Sequence, residues 1–385
     1  MNLERNKLIQ NQICTKTVMD LINDPDITFD SNGISNHYWK FHKNIKPHWQ
    51  NDEFGKKNLE DIVDQIKKTS KNKDFDCILG LSGGLDSSFM LHKLVKNFNL
   101  RPLVFHVDGG WNSEEATHNI NSLVNKLNLD LFTEVINWEE MKNFQLAMFK
   151  SGVPHIDLPQ DLAFIGVLYK FASKYKIKYI LNGGNISTEN VFSPLKILYW
   201  GTDMIHIRDI LNQYGTIDMP TFPFTNIFYH KIWLRYFRNM QVIKPLNFLP
   251  YFKNEAIEEL KKVYDWKPFK QKHFESRFTK FFEGYWLLKR FNYDMRKTFL
   301  SSLILTGQMD RDNALKILKE SPLTPEEEKK EFEFVASKLD LSESELHRYQ
   351  EIPKKYYFDY KNIEIIFRYG KKTLEFINRK PRESF

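Results

Sequence analysis

Between Ser82 and Ser88 the chain reads Ser-Gly-Gly-Leu-Asp-Ser-Ser, two glycines set among three hydroxyls and a carboxylate. Glycine tolerates positive φ and lets other groups approach the backbone. Successive N–H groups at Gly83, Gly84 and Leu85 can therefore turn inward as an anion nest opening onto the positive end of a helix. The ligand this suits is a phosphate. No Gly-Lys-Ser/Thr follows, so the nucleotide loop that carries its own lysine is excluded. Phosphate charge must then be met by N–H groups, by the hydroxyls of Ser82, Ser87 and Ser88, and by Mg²⁺, for which Asp86 is a hard oxygen ligand. The competing reading is a turn that uses its glycines only to pack.

Two other stretches carry groups able to act on such a ligand. Asn182-Gly183-Gly184-Asn185 runs into Thr188-Glu189, and the Glu189 carboxylate could share Mg²⁺ with Asp86; alternatively Thr188 and Glu189 only open a helix, where the dipole favours acids. Trp266 to Phe282 interleaves aromatics with ionisable groups. His273, Arg277 and Lys280 in it fall at helical spacing, which predicts one face able to bind a carboxylate or stabilise developing charge. Periodicity alone fits a solvated basic stripe over an aromatic core better.

The elements that must position these groups alternate. Cys77–Leu79 reads as the end of a buried strand, with Leu91, Leu94 and Val95 at helical spacing after the glycines. Pro102 to Asp108 is a second strand ending in Asp108-Gly109-Gly110, followed by a helix around 113–127. Leu131–Ile136 is a third strand. Asp161 is placed as the cap of a helix running to about Lys174, and Lys178–Asn182 is a fourth strand. The pattern predicts an α/β fold with a doubly wound parallel sheet, whose ligands bind at the carboxyl ends of the strands, where all three glycine turns lie. Upstream, 57–69 is an amphipathic helix and Asp30–Gly33 a turn in a small N-terminal β element. From about 251 the chain reads as helices, with capping boxes at Thr324–Glu327 and Ser342–Glu345 and Asp310 capping Arg311–Lys319. The division expected is 1–55, 56–250 and 251–385.

A chain of 385 residues, 42% hydrophobic, can bury a sizeable core. Cys14 and Cys77 are the two cysteines, too few for a disulfide framework, which predicts a reducing cytoplasm. No apolar run approaches the roughly 18 residues that span a bilayer, so no membrane association is expected. The net charge of +7 suits a polyanion or an acidic substrate with ATP, but basic residues are interspersed with acids, and no nucleic-acid partner is expected.

Ser82-Gly83-Gly84-Leu85-Asp86-Ser87 resembles the SGGxDS signature of PP-loop ATP pyrophosphatases, of HUP-like fold, which cleave ATP to AMP and pyrophosphate. Gly183-Gly184-Asn185 to Glu189 resembles a metal-binding run in NAD synthetase of the same superfamily. The order of these motifs, then Lys272-His-Phe-Glu-Ser-Arg-Phe-Thr-Lys-Phe-Phe282, Tyr293-Asp-Met-Arg-Lys297 and Leu300-Ser-Ser-Leu-Ile-Leu-Thr-Gly-Gln308, resembles the N-acetyl sugar amidotransferases of bacterial surface polysaccharide and nonulosonic acid pathways. The resemblance covers nearly the whole chain. It implies conversion of an N-acetyl group to an acetamidino group with ATP and Mg²⁺, with ammonia supplied from solution or by a separate glutaminase subunit. It implies ATP binding by the Ser82–Ser88 loop, Asp108 and Gly183, magnesium at Asp86 and Glu189, and catalysis by Asp86, His273, Arg277 and Lys280. The family's N-terminal Cys-x-x-Cys knuckles are reduced here to Cys14, with Thr17, Ser35 and Tyr38 at the other positions. One thiolate, even with His37, cannot complete a tetrahedral zinc site, and no zinc is expected. A tRNA-modifying PP-loop adenylase and a non-catalytic nucleotide-fold scaffold are the alternative functions.

Overall fold

The computed structural model describes residues 12–199 and 201–364. Five parallel strands form one sheet: β1 (Cys77–Gly80), β2 (Pro102–Asp108), β3 (Leu131–Val135), β4 (Tyr179–Leu181) and β5 (Gln241–Ile243), in the order β3-β2-β1-β4-β5. Their side chains alternate between two cores. Ile78, Leu103, Phe105 and Ile180 enter one, and Cys77, Leu79, Val104, Tyr179 and Leu181 the other. Both faces are therefore covered at β1, β2 and β4, which is why those strands are largely apolar, whereas the outer strands β3 and β5 keep exposed residues such as Val135 and Gln241. Helices Glu53–Ser70, Leu85–Lys96, Glu114–Leu127 and Lys253–Tyr264 cover the second face through residues such as Val63, Leu91, Leu123 and Leu260. Helices Trp138–Ser151, Leu158–Lys174 and Met204–Tyr214 cover the first. The chain crosses from one side of β1 to the other between β2 and β4, so the end of β1 is the switch point where ligands bind in such sheets.

The residues beyond 276 do not form a separate core. Phe278, Phe281, Trp286 and Val335 join Phe105, Phe144 and Phe149 in the first core. The helices Arg311–Lys319, Pro325–Lys338 and Glu343–Glu351 begin at Asp310, Thr324 and Ser342, whose side chains accept the expected N–H groups, the last two as full capping boxes. No helix among the described residues is long and apolar enough to cross a membrane.

Several elements differ from the sequence expectation, among them the unanticipated helices Asn36–Lys40 and Met204–Tyr214. The helix after residue 157 starts at Leu158, with Asp157 in the capping position and Asp161 already inside the first turn. Pro159 lacks only an N–H that the first turn leaves unpaired, so the helix can begin ahead of it. The helix Trp138–Ser151, capped by Asn137, and the three-residue edge strand β5 were not anticipated. In the N-terminal element, bridges join Ile13 to Asp20 and Phe29 to Ser35. Cys14 Sγ accepts the N–H groups of Ser35 (3.3 Å) and Lys16 (3.4 Å). The Cys14 thiol, with the hydroxyls of Ser35 and Thr17 bonded to it, gathers three of the four knuckle positions around hydrogen bonds.

Candidate active site

The loop after β1 is held by contacts that leave its ligand-facing side free. Leu81 extends the ladder by donating to the Phe105 carbonyl at 2.8 Å. Gly83 then turns with φ +81, and a side chain there would come within 2.6 Å of the Ala116 carbonyl, so only glycine fits. From behind, Trp266 Nε1 (3.2 Å) and Asn119 Nδ2 (3.1 Å) donate to the Gly83 carbonyl. Gly84 caps the helix Leu85–Lys96 without offering a side-chain acceptor. The first-turn N–H groups are left for a ligand. Ser82 and Ser87 hydroxyls meet at 3.2 Å on the open side.

These groups line a cavity of about 340 Å³ with Asp86, Gly183, Gly184, Glu189, Tyr251, Lys253 and Lys272. Lys272 Nζ lies 2.6 Å from Asp86 Oδ2, 2.7 Å from Glu189 Oε1 and 3.0 Å from Thr188 Oγ1. Tyr251 Oη and Asn185 Nδ2 donate to Asp86 Oδ1. Burial pushes the Asp86 carboxyl up, but Lys272 and the Tyr251 hydroxyl outweigh it and hold it below the usual aspartate value. Burial likewise opposes the Lys272 charge, and Asp86 and Glu189 outweigh it, so the ammonium is held more firmly than usual. The two carboxylates thus converge on one point of positive charge. Among the described residues no cluster of three or more His, Cys, Asp or Glu side chains could enclose a metal. A pair suits Mg²⁺ nonetheless, because that ion keeps several waters and takes its remaining oxygens from phosphates.

A second cavity, of about 490 Å³, adjoins the first and shares Ser82, Phe164, Glu189, His273, Glu275 and Phe299 with it. His273 stands on this shared wall in the left-handed region (φ +66), its Nδ1 2.9 Å from Glu283 Oε1. Burial works against its protonation, yet Glu283 raises its pKa to about 9, so the imidazole is charged at neutral pH. The second cavity also carries His155, Asp157 and Asp161. Burial, then the nearby Asp161 charge, pushes the Asp157 carboxyl well above the ordinary aspartate range, and its Oδ2 accepts from Thr279 Oγ1 at 2.6 Å.

The remaining predicted groups are placed as follows. Leu85, Ser87 and Gly183 line the first cavity; Ser88 is buried behind the loop, accepting from Trp266 Nε1 at 3.2 Å. Asp108 Oδ1 accepts from Gly110 N at 2.8 Å and Asn112 Nδ2 at 3.2 Å within its own turn, and Gly109 lines the second cavity. The three glycine turns therefore serve two adjoining cavities and not one cleft. His273, Arg277 and Lys280 do not share a helical face, because the helix starts at Arg277 with Ser276 as its cap. Arg277 and Lys280 turn away to Glu331, at 2.9 and 3.2 Å, and Arg277 stacks on Phe334. The Ser276 capping signal, three residues before Thr279, was the available clue. Lys272, Tyr251 and Asn185 escaped notice because they meet Asp86 only through the fold.

Residues 76–183 match the phosphoadenosine phosphosulfate reductase domain family, and residues 275–374 match the family described as LPS biosynthesis protein WbpG-like, C-terminal domain. The chain thus joins a segment of the phosphoadenosine phosphosulfate reductase type to a WbpG-like C-terminal domain, the combination of a PP-loop protein of lipopolysaccharide biosynthesis. In this WbpG-like chain the first matched segment supplies the phosphate loop, and the second, which opens at Glu275, supplies Glu275, Ser276, Thr279, Glu283, Met295, Thr298 and Phe299 to the second cavity. The WbpG-like segment therefore builds much of the second cavity and, through Glu275, touches the loop after β1. No curated protein matches the chain. Among solved structures, an NMN synthetase from Francisella tularensis is similar at 14% identity (79% of this chain, 99% of that one, TM-score 0.32). The NH3-dependent NAD synthetase of Campylobacter jejuni is similar at 15% (78% and 98%, TM-score 0.27). The U34-tRNA thiolase NcsA from Methanococcus maripaludis is similar at 13% (68% and 80%, TM-score 0.30).

Proposed function

We propose that this enzyme uses ATP to convert the N-acetyl group of a bacterial surface sugar into an acetamidino group, releasing AMP and pyrophosphate, in the cytoplasm and with ammonia from a separate glutaminase subunit. The observation that carries it is the shared wall: a phosphate-binding loop without its own lysine opens directly onto a second cavity large enough for a sugar, in which carboxylates and imidazoles are set among apolar side chains.

The N–H groups at the start of helix Leu85–Lys96 and the Ser82 and Ser87 hydroxyls hold the β- and γ-phosphates, leaving the α-phosphorus toward the shared wall. The acetamido oxygen attacks that phosphorus, because an amide carbon is a poor electrophile until its oxygen has become a leaving group. Lys272 and the charged His273 stabilise the negative charge gathering there. Asp157, lining the second cavity, hydrogen-bonds the sugar. Magnesium, held by Asp86 and Glu189 when present, supplies charge neutralisation for the departing pyrophosphate. Ammonia then displaces AMP from the activated carbon.

The test is incubation with acetamido sugars, free and nucleotide-linked, with ATP, Mg²⁺ and ammonium. AMP and pyrophosphate should appear in equal amounts with an amidine product. ADP and orthophosphate, or AMP release that depends on tRNA instead of sugar, would overturn the reading.

A further inference from the structure

Displacement of AMP by ammonia needs a proton acceptor that the groups named so far do not supply. The acetamido N–H and the three ammonia hydrogens place four N–H bonds on the reacting carbon's substituents, and the acetamidinium product keeps three. One proton must leave the new ammonio nitrogen before the C–O bond to AMP breaks, its electron pair departing with the phosphate oxygen.

The acceptor must sit where the nucleotide and acceptor cavities meet. Of the six side chains lining both, three ionise: Glu189, His273 and Glu275. Glu189 is paired with Lys272. His273 already holds its proton through Glu283. Glu275 has neither constraint, since no lysine, arginine or histidine nitrogen forms an ion pair with it among the described residues, and the side chain that donates to its Oε1 is the Ser82 hydroxyl, at 3.2 Å. We propose that Glu275 is the general base of the ammonia step, resting on the function proposed above.

The surroundings fit that role. The Glu275 backbone is fixed, with Ser113 N donating to its carbonyl at 3.0 Å and Arg277 N donating to the Trp111 carbonyl at 2.8 Å. Its carboxylate lies over Gly84, where even a methyl group would come within 2.4 Å of Oε1. Burial, only partly offset by the nearby His273, keeps the carboxyl above its ordinary value, which strengthens it as a base. The second cavity brings Asp161, Glu189, Glu275 and Glu283 to its lining against the charged His273 and no lysine or arginine, a balance of charge that draws a cationic nitrogen inward.

Glu275→Gln keeps the shape and the Ser82 contact while removing the basic oxygen. In a single turnover without ammonium, the variant should still release sugar-dependent pyrophosphate, and its rate there sets the reference for the ammonia step. On adding ammonium, amidine formation should fall about 100-fold, the usual contribution of a positioned base. Hydroxylamine, whose conjugate acid is much stronger than ammonium, should narrow that deficit, and Glu275→Asp should restore part of the ammonia rate. A variant that loses pyrophosphate release as well, or forms amidine at the wild-type rate, overturns the assignment alone. A wild-type enzyme that releases no pyrophosphate with any acetamido sugar overturns the functional reading and the assignment together.

Discussion

Lys272 occupies the point on which Asp86 and Glu189 converge, and replacing it by methionine separates its structural from its electrostatic part. Methionine keeps the apolar stem and removes the charge. The two carboxylates are only 19% and 30% exposed, so they are left facing each other with little solvent. Removing one partner of a buried ion pair costs about 3–5 kcal/mol, and the residual exposure places this site near about 3 kcal/mol. With about 2.1 cal/mol/K of unfolding entropy per residue over 385 residues, that is a fall in Tm of about 4 °C. The fall should be measured in EDTA by calorimetry. Adding millimolar Mg²⁺ should recover much of it, because the freed carboxylates then bind the ion, whereas the wild type, whose ammonium competes, should respond weakly. An unchanged Tm in EDTA, or a variant as indifferent to Mg²⁺ as the wild type, would refute the view that one site serves both cations.

Arg277→Met should lower stability by about 2 kcal/mol, less than for a fully orphaned buried carboxylate because Lys280 still neutralises Glu331, while the KM for the sugar stays unchanged; a selective rise in KM would place Arg277 in the acceptor site. His273 should contribute a pH-dependent stability of definite sign. Its folded pKa of about 9 lies above the ordinary value of about 6.5, so the contribution is complete below about pH 6.5 and disappears as pH rises through about 9. Urea midpoints taken from pH 6 to 9.5 should therefore fall less steeply in His273→Gln than in the wild type.

The phosphate loop was legible because its constraints are local: positive φ at Gly83 and close approach at Gly84 are properties of residue type that no distant contact supplies. β1, β2 and β4 were legible for a related reason, since burial on both faces makes them largely apolar, and the helices between them forced a parallel sheet; β3 was legible as a short β-prone run although Thr133 and Val135 are exposed. What escaped depends on meetings across the chain. β5 is three residues long on a sheet edge, with Gln241 and Val242 exposed, so nothing in its composition distinguishes it from a loop. Lys272 reads as one lysine among many until Asp86 and Glu189 approach it. His273 read as helical from spacing, but Ser276 starts the helix after it and leaves its backbone left-handed, which is what points the imidazole at the shared wall.

The antiparallel bridge between Asn112 and Ser276 has a bearing on how the molecule is made. Synthesis proceeds from the amino terminus at about 5–20 residues per second, so the strand-and-glycine scaffold through β4 emerges from the ribosome well before the segment that fastens to residues 111–113. For those seconds the loop after β1 stands without Tyr251, Trp266 and Lys272, which later close its cavity. The wall between the two cavities arrives when the later segment zips onto residues 111–113, and a polypeptide cut short before Ser276 lacks Phe278, Phe281 and Trp286 of the first core.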